Sequence, residues 1–316
     1  MLFATLVADP IPTFGPEPCI IPAHMAGHHT TADAHQPIGV FDSGVGGLSV
    51  LREIRRELPH EDLLYVADSG HAPYGDKPME VIEARAVAIT EFLLDQGAKA
   101  VVVACNTATG AAARLLRTRY PVPIVAMEPA VKPAVAQTRS GVIGVLATRR
   151  TLESHNFSVL MERVGAGAEV LVQPCPGLVE RVEAGDLDGD YTRALLADYL
   201  QPLLERGADT LVLGCTHYPY LIPLIGLIAG PEVRVLDSGA AVGRQVRRRL
   251  EALGLLASSR RLGTERFWTS GCPLGTHGLM TRLWRSEVRL ERLPVSPAGI
   301  ADREPLGTPD LALQFE

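Results

Sequence analysis

Short apolar runs alternate with longer amphipathic stretches along the first part of the chain. Each apolar run ends in small or polar residues, and an amphipathic stretch follows it. The pairs, apolar run first, are 38–41 with 48–58, 63–66 with 79–96, and 100–104 with 109–119. Apolar runs of about 4–8 residues are typical of buried strands, whereas the longer stretches have the spacing of helices that bury one face. The alternation predicts βαβ units around a parallel sheet, and therefore an α/β fold.

A weak internal repeat divides the chain into two halves. Segment 38–43, IGVFDS, is echoed by segment 143–148, IGVLAT. Later in each half an apolar strand delivers a cysteine followed by hydroxyl-bearing residues, as VVVACNT at 101–107 and as LVLGCTH at 211–217. Ligands of open parallel sheets collect beyond the carboxyl ends of the strands. We therefore predict two related doubly wound parallel-sheet domains with the active site between them, facing one cysteine from each.

Composition and the repeat together predict the domain boundaries. Residues 1–36 are rich in Pro, His, Thr and Ala without steady periodicity, which favours a poorly ordered N-terminal extension. We predict a first α/β domain made of residues 37–133 and 240–293. Residues 134–239 form the second α/β domain in this prediction, and residues 294–316 form a C-terminal tail.

The overall composition excludes several classes of protein. The 316 residues are 47 % hydrophobic and 21 % charged, which fits a folded protein of about two domains and neither long disorder nor a fibrous class. The net charge of −6 does not indicate the excess of basic residues that binds a phosphate backbone, so nucleic acid is not expected as the main partner. Residues 211–230 carry no formal charge, but His217, Pro219 and Pro223 interrupt them. We interpret them as strand, loop and helix, and expect no membrane partner.

The cysteines and the N-terminus indicate a compartment. Five widely spaced cysteines without a C-x-x-C pair suggest neither a disulfide framework nor a zinc site, so no metal is expected. Residues 1–10 lack a positively charged start and make a poor secretory signal. We therefore expect a reducing, cytoplasmic location.

Cys105 on its own is most simply interpreted as a buried structural residue. Its context favours chemistry, because the loop 105–110 leads into a helix predicted through 111–119. Free N–H groups and the positive end of that helix favour a thiolate, or hold the carboxylate of a small ligand. Cys215 repeats this arrangement, and His217 follows it as a group that can shuttle a proton or stabilise a thiolate.

Two further motifs have both a functional and a structural interpretation, and Glu183 has a structural one. The segment 41–48, FDSGVGGL, has the position of a phosphate-binding loop but neither a Gly-Lys-Ser/Thr ending nor G-x-G-x-x-G spacing. Its glycines are expected to let the backbone approach a small ligand beside Asp42 and Ser43, unless Asp42 simply caps a helix. Pro-Tyr-Gly at 73–75 lays a backbone edge over a ligand or forms an ordinary surface turn. Glu183 is most simply a solvated carboxylate at a helix end.

Four ordered motifs together resemble those of the glutamate racemases, within the cofactor-independent aspartate/glutamate racemase superfamily. They are DSG at 42–44, PYG at 73–75, CNTA at 105–108 and GCTHYP at 214–219. The resemblance covers about residues 37–290. It implies an isomerase that interconverts L- and D-glutamate and supplies D-glutamate for peptidoglycan, and so for cell-wall biogenesis and cell shape. It also implies a two-base mechanism without a cofactor, which fits a chain whose only lysines are Lys77, Lys99 and Lys132.

The resemblance assigns roles residue by residue. Cys105 and Cys215 match the two catalytic cysteines, Asp42 and His217 match the polar helpers beside them, and Glu183 matches a further acidic helper. The substrate-binding residues that it implies are Asp42, Ser43, Pro73, Tyr74, Gly75, Asn106, Thr107, Thr148, Thr216 and His217. Asp68 matches another acid of the family. Because members of the family form dimers, we expect a homodimer.

Two alternatives stay open at this point. One is a racemase of aspartate or another amino acid in the same superfamily. The other is a non-catalytic ligand-binding protein on the same scaffold, in which both cysteines are inert core residues. Thiol reactivity separates catalysis from binding, since a catalytic cysteine should alkylate readily and be protected by glutamate.

Overall fold

The computed structural model describes residues 33–164, 167–259 and 261–294. Residues 1–32 of the predicted extension and residues 295–316 of the predicted tail lie outside the described residues.

Strands and helices alternate along the described chain. In chain order the elements are β1 Ile38–Asp42, α1 Leu48–Glu57, β2 Leu63–Ala67, α2 Met79–Asp95, β3 Ala100–Val103, α3 Asn106–Arg119, β4 Ile124–Ala126, α4 Val131–Gln137, β5 Val142–Ala147, α5 Arg149–Leu152, α6 His155–Val164, β6 Glu169–Pro174, α7 Leu178–Glu183, α8 Asp190–Glu205, β7 Thr210–Gly214, α9 Ile222–Ala229, β8 Arg234–Leu236, α10 Gly239–Ala252, β9 Glu265–Thr269, α11 Pro273–Trp284 and β10 Leu290–Arg292. Short 3₁₀ helices lie at Ser69–His71 and Tyr218–Leu221.

The strands form two parallel sheets. The first sheet has the order β10-β9-β2-β1-β3-β4, and the second has the order β6-β5-β7-β8. All strand pairs in both sheets are parallel. The predicted α/β class with parallel sheets is therefore confirmed.

Helices cover both faces of the first sheet, which explains why its central strands are apolar on both sides. Val40 of β1 packs in the same core cluster as Leu51 of α1. The next residue, Phe41, packs on the opposite face with Ile89 of α2 and Leu116 of α3. Successive side chains of a strand point to opposite faces, so a strand buried on both faces is a continuous apolar run.

The second sheet is covered in the same way. Leu213 of β7 belongs to the cluster that contains Leu196 of α8, and Val212 packs with Phe157 of α6 on the other face. Residues 211–230 form part of β7, a 3₁₀ helix and α9, as interpreted from the sequence. No helix among the described residues is long and apolar enough to cross a membrane.

The repeat places equivalent strands at the centre of each sheet. β1 lies beside β3 in the first sheet, and β5 lies beside β7 in the second. At their carboxyl ends these strands carry or lead into Asp42, Cys105, Thr148 and Cys215. The residues with candidate chemistry therefore collect at one end of each sheet.

Candidate active site

Both predicted cysteines line one cavity between the carboxyl ends of the two sheets. The cavity is small, since its empty volume of about 260 Å³ includes space that is open to solvent. The cavity is lined by Ser43, Pro73, Tyr74, Gly75, Cys105, Asn106, Thr107, Thr148, Val179, Cys215, Thr216 and His217. Asp42 and Glu183, which were also predicted in the site, lie behind this lining and contact it through hydrogen bonds.

Cys105 is the N-cap of α3, which begins at Asn106 and not at the later position that the sequence predicted. Its Sγ accepts a hydrogen bond from the Ala108 N–H at 3.4 Å and donates one to Ser43 Oγ at 3.7 Å. Burial raises the pKa of the Cys105 thiol, and the charge of Asp42 raises it further. Desolvation thus outweighs the single N–H donor at the helix end, which opposes the thiolate that the sequence analysis expected.

Cys215 follows β7 and lies beside a buried histidine. Its Sγ is 3.8 Å from His217 Nδ1, and His217 Nε2 is 2.7 Å from Glu183 Oε1. Burial lowers the pKa of His217, but the hydrogen bonds and charges of Cys215 and Glu183 outweigh it and raise the pKa well above its usual value. The geometry thus favours an imidazolium next to the Cys215 sulfur.

Glu183 is not the solvated helix-end carboxylate that its position in the sequence suggested. Its side chain is 17 % exposed. Besides His217, it accepts a hydrogen bond from the Val45 N–H at 2.7 Å and one from Ser69 Oγ at 3.2 Å. Glu183 therefore joins the His217 side of the site to the loop after β1.

Asp42 is fully buried behind the cavity wall. Its carboxylate accepts a hydrogen bond from the Gly47 N–H at 2.8 Å. Asp42 is not the helix cap of the simpler interpretation, because the N-cap of α1 is Gly47, without a side-chain cap. The hydroxyls of Thr216 and Ser43 donate to its Oδ1 at 3.3 and 3.5 Å. Burial raises the pKa of Asp42, and the charge of His217 opposes that shift.

The glycines of the loop after β1 lie directly against these site residues. A Cβ at Gly44 would overlap the Glu183 carboxylate, and a Cβ at Gly46 would overlap the His217 ring. Glycine at these two positions lets the loop pass directly against Glu183 and His217. The sequence analysis did not predict these protein neighbours, and the approach of the loop to a ligand stays a prediction.

Polar groups without protein partners face the cavity from the α3 side. The Asn106 side chain is buried, and neither its oxygen nor its nitrogen has a hydrogen-bond partner within the described part of the chain. Beside it, the hydroxyls of Thr107 and Thr148 lie 2.9 Å apart, and both contact Thr151. An unsatisfied buried polar group costs about 1–3 kcal/mol, so the Asn106 amide favours a polar ligand.

The Pro-Tyr-Gly turn forms part of the cavity wall and is not an ordinary surface turn. Tyr74 is buried, and its hydroxyl donates to Asp68 at 2.5 Å. A Cβ at Gly75 would lie 3.1 Å from the Cβ of Thr148, which belongs to the other half. The turn therefore closes the cavity against the second sheet.

The chain matches the sequence model of the Asp/Glu/Hydantoin racemase family over residues 38–246. The chain belongs to this family. It is 57 % identical over 264 residues to a glutamate racemase of Methylococcus capsulatus, and the aligned residues cover 84 % of this chain and 97 % of that protein. It is 58 % identical over 259 residues to a glutamate racemase of Pseudomonas aeruginosa, and the aligned residues cover 82 % of this chain and 97 % of that protein.

Solved structures agree with this membership of the racemase family. Glutamate racemase isoform RacE1 from Bacillus anthracis superposes with a TM-score of 0.75 at 31 % identity, covering 83 % of this chain and 98 % of that one. Escherichia coli glutamate racemase, in complex with L-glutamate and the activator UDP-MurNAc-Ala, has a TM-score of 0.72 at 33 % identity, covering 82 % of this chain and 98 % of that one. The resemblance stated from four motifs is confirmed.

Sequence reasoning missed several residues of this racemase-family site. Val179 lines the cavity, and Ser69 contacts Glu183. Thr151 completes the threonine cluster, and Arg85 pairs with Asp68. An apolar helix residue and isolated hydroxyls carry no signal of their own, because only the folded chain brings them to the site.

Within the described ranges, no group of three or more His, Cys, Asp or Glu side chains is arranged to hold a metal ion.

Proposed function

We propose that this chain interconverts L- and D-glutamate, with Cys105 and Cys215 as the two acid–base groups. One observation carries the proposal, namely that the cysteines at equivalent strand ends of the two halves line the same small cavity. The relatives at 57 % and 58 % identity are named glutamate racemases, which supports glutamate as the substrate. Racemisation needs a base on one face of the α-carbon and an acid on the other. A thiol from each half supplies such a pair.

The proposed reaction is balanced in protons and electrons. The thiolate of one cysteine takes the α-proton, so a Cα–H bond breaks and an S–H bond forms. The electron pair stays on the substrate and is delocalised into the α-carboxylate. The other cysteine gives its thiol proton to the opposite face and becomes the thiolate. The reverse reaction exchanges the two roles.

The charges around the two sulfurs differ. The His217 imidazolium lies beside the Cys215 sulfur and stabilises a thiolate there. Burial and Asp42 raise the pKa of Cys105, which keeps its proton. Cys215 thus lies beside a positive group and Cys105 near a negative one, so the two sulfurs are not equivalent. In each turnover one sulfur takes a proton and the other gives one, so their protonation states are exchanged.

The polar lining fits the groups of an amino acid. The hydroxyls of Ser43 and Thr216 contact Asp42, so their oxygens can accept hydrogen bonds from an ammonium group with the carboxylate behind them. The Asn106 amide and the threonine hydroxyls offer donors to a carboxylate. In a cavity with little water such fixed donors stabilise the charge that develops on the α-carboxylate during proton removal.

Some finer expectations rest on the resemblance alone. They are the use of D-glutamate for peptidoglycan, a homodimer and catalysis without a cofactor. The expected cytoplasmic location rests on the cysteines and the N-terminus. The predicted domain division is supported by the strands that each sheet contains, since the first sheet takes strands from 38–126 and 265–292 and the second takes strands from 142–236.

The test is the conversion of L-glutamate by purified, pyridoxal-free protein in deuterated water, with Cys105→Ser and Cys215→Ser measured alongside. We expect D-glutamate that carries deuterium at the α-carbon, and early in the reaction we expect recovered L-glutamate without it. Both serine variants should lose racemisation and keep their fold, as checked by circular dichroism.

A single serine variant that still racemises glutamate would refute the two-cysteine mechanism. Faster turnover of L-aspartate than of L-glutamate would point to the other substrate. Folded wild-type protein that binds glutamate without turnover would point to a binding protein.

A further inference from the structure

The Asp68 carboxylate is fully buried at the end of β2, outside the cavity lining. Arg85 of α2 donates two hydrogen bonds to it, from Nε to Oδ2 at 3.0 Å and from Nη2 to Oδ1 at 2.7 Å. The Tyr74 hydroxyl donates to the same Oδ2 at 2.5 Å, and His71 Nδ1 lies 3.1 Å from Oδ1. The racemase reaction proposed above uses none of these contacts directly.

The direction of each hydrogen bond follows from the chemistry of the groups. Burial on its own raises the pKa of Asp68, but hydrogen bonds from His71 and Arg85 lower it to about 2. An ionised carboxylate only accepts, and a guanidinium only donates. The Tyr74 hydroxyl must therefore donate to Asp68, which fixes the direction in which the phenol points.

Tyr74 connects this buried pair to the cavity. Its neighbours Pro73 and Gly75 line the cavity with it, opposite Thr148 of the other half. The phenol thus anchors a turn that forms one wall of the site. Within the described chain, the Gly75 amide N–H makes no protein hydrogen bond, so it is free to meet a ligand.

We infer that Arg85 is a positioning residue for the reaction, acting through Asp68 and Tyr74 to hold the turn at 73–75 against the bound amino acid. The identity of that amino acid rests on the proposed function. Arg85 itself does not line the cavity, and its side chain is 19 % exposed. Its effect on catalysis is therefore relayed and not a direct contact.

The test compares Arg85→Met with Arg55→Met. Arg55 is a matched control, because its side chain is also 19 % exposed and it pairs with Glu265 at 2.6 Å on the same sheet, away from the cavity. We expect R85M to raise KM for glutamate about tenfold or more, the size of effect that follows misplacement of a binding group. R55M should leave KM unchanged. R85K keeps the charge without the planar fork, so its KM should lie between those of R85M and the wild type.

A double-mutant cycle with Tyr74→Phe separates positioning from a general loss of stability. If Arg85 acts through the Tyr74 hydroxyl, R85M should add little to the loss of kcat/KM already caused by Y74F.

The dependence of kcat/KM on pH gives a second test. The groups that face Asp68 are Arg85 from α2, His71 and Tyr74 from the segment after β2, and Ser270 from the loop after β9.

Arg85 is one of the groups that lower the pKa of Asp68, so R85M raises this pKa, while the hydrogen bonds from His71 and Ser270 still oppose the effect of burial. The kcat/KM of R85M relative to the wild type should then recover as rising pH ionises Asp68, and this recovery should be absent in R85M/D68N. Since the enantiomers of glutamate have equal free energy, kcat/KM must change by the same factor in both directions, which checks the data internally.

Equal KM effects of R85M and R55M, or fully additive losses in R85M/Y74F, would overturn the inference. If R85M does not fold, R85K and Y74F carry the same comparison. Wild-type turnover in the same assay tests the proposed function separately. An inactive wild type refutes glutamate racemisation, whereas an active wild type with an unaffected R85M refutes only the role of Arg85.

Discussion

Replacing Glu183 by Gln removes one negative charge and keeps the size of the side chain. The amide oxygen can still accept the hydrogen bond from the Val45 N–H, which is 2.7 Å long in the native protein. What is lost is the charge that faces His217 Nε2 at 2.7 Å. The substitution therefore tests whether the imidazolium beside Cys215 matters for the reaction.

The structure sets the size and the sign of the effect. A hydrogen bond to a charged partner contributes about 1.5–3 kcal/mol, and about 1.4 kcal/mol corresponds to a factor of ten, so kcat/KM should fall roughly ten- to hundredfold near neutral pH. Burial lowers the pKa of His217, while Cys215 and Glu183 raise it. Removing the charge of Glu183 lowers this pKa, so the imidazolium is lost at a lower pH. The alkaline limb of the pH–rate profile should move toward lower pH.

The assay is kcat/KM for L- and D-glutamate as a function of pH, followed by circular dichroism of the amino acid. Glu180→Gln is the control, because Glu180 lies on the same helix, is exposed and has no hydrogen bond to His217. We expect E180Q to keep the wild-type profile. An unchanged alkaline limb in E183Q, or an equal loss in E180Q, would refute the reasoning.

Two further substitutions test the packing around the site and the fold. Gly46→Ala places a Cβ against the His217 ring. It should lower kcat/KM about tenfold or more, on the order expected for a displaced catalytic group. The control Gly226→Ala, in helix α9 with open space around it, should keep full activity. Lys99→Met leaves Glu61, its partner at 2.5 Å, as an unpaired buried charge and should lower the free energy of unfolding in urea by about 3–5 kcal/mol without changing KM. A much smaller decrease in the free energy of unfolding of K99M/E61Q would confirm that the destabilisation comes from the unpaired Glu61 charge. An equal decrease would contradict this explanation.

The sequence predicted the strands well because parallel strands buried on both faces leave a strong pattern. The apolar run at 38–41 became β1 Ile38–Asp42, and the run at 100–104 became β3 Ala100–Val103. The repeat then placed Cys105 and Cys215 at equivalent strand ends, which was enough to predict a shared site. These inferences needed only local periodicity and the geometry of parallel sheets.

What the sequence did not predict depends on contacts between distant residues. The start of α3 was missed because cysteine is not among the usual capping residues, yet the Cys105 sulfur accepts the Ala108 N–H. The environment of Glu183 was missed because its partner Val45 is 138 residues away in the chain. The raised pKa of Cys105 follows from burial, which a local motif does not encode.

The internal repeat accounts for the placement of the two cysteines but not for their chemistry. Cys105 contacts Ser43 and through it the buried Asp42, whereas Cys215 contacts His217 and through it Glu183. A carboxylate therefore lies on the Cys105 side and an imidazolium on the Cys215 side, so the two sulfurs have neighbours of opposite charge.

The asymmetry is compatible with racemisation, whose equilibrium constant is one. An equilibrium constant of one requires only that kcat/KM be equal in the two directions. The individual values of kcat and KM can differ between the two enantiomers. The unequal partners of the two cysteines are therefore compatible with a symmetric reaction.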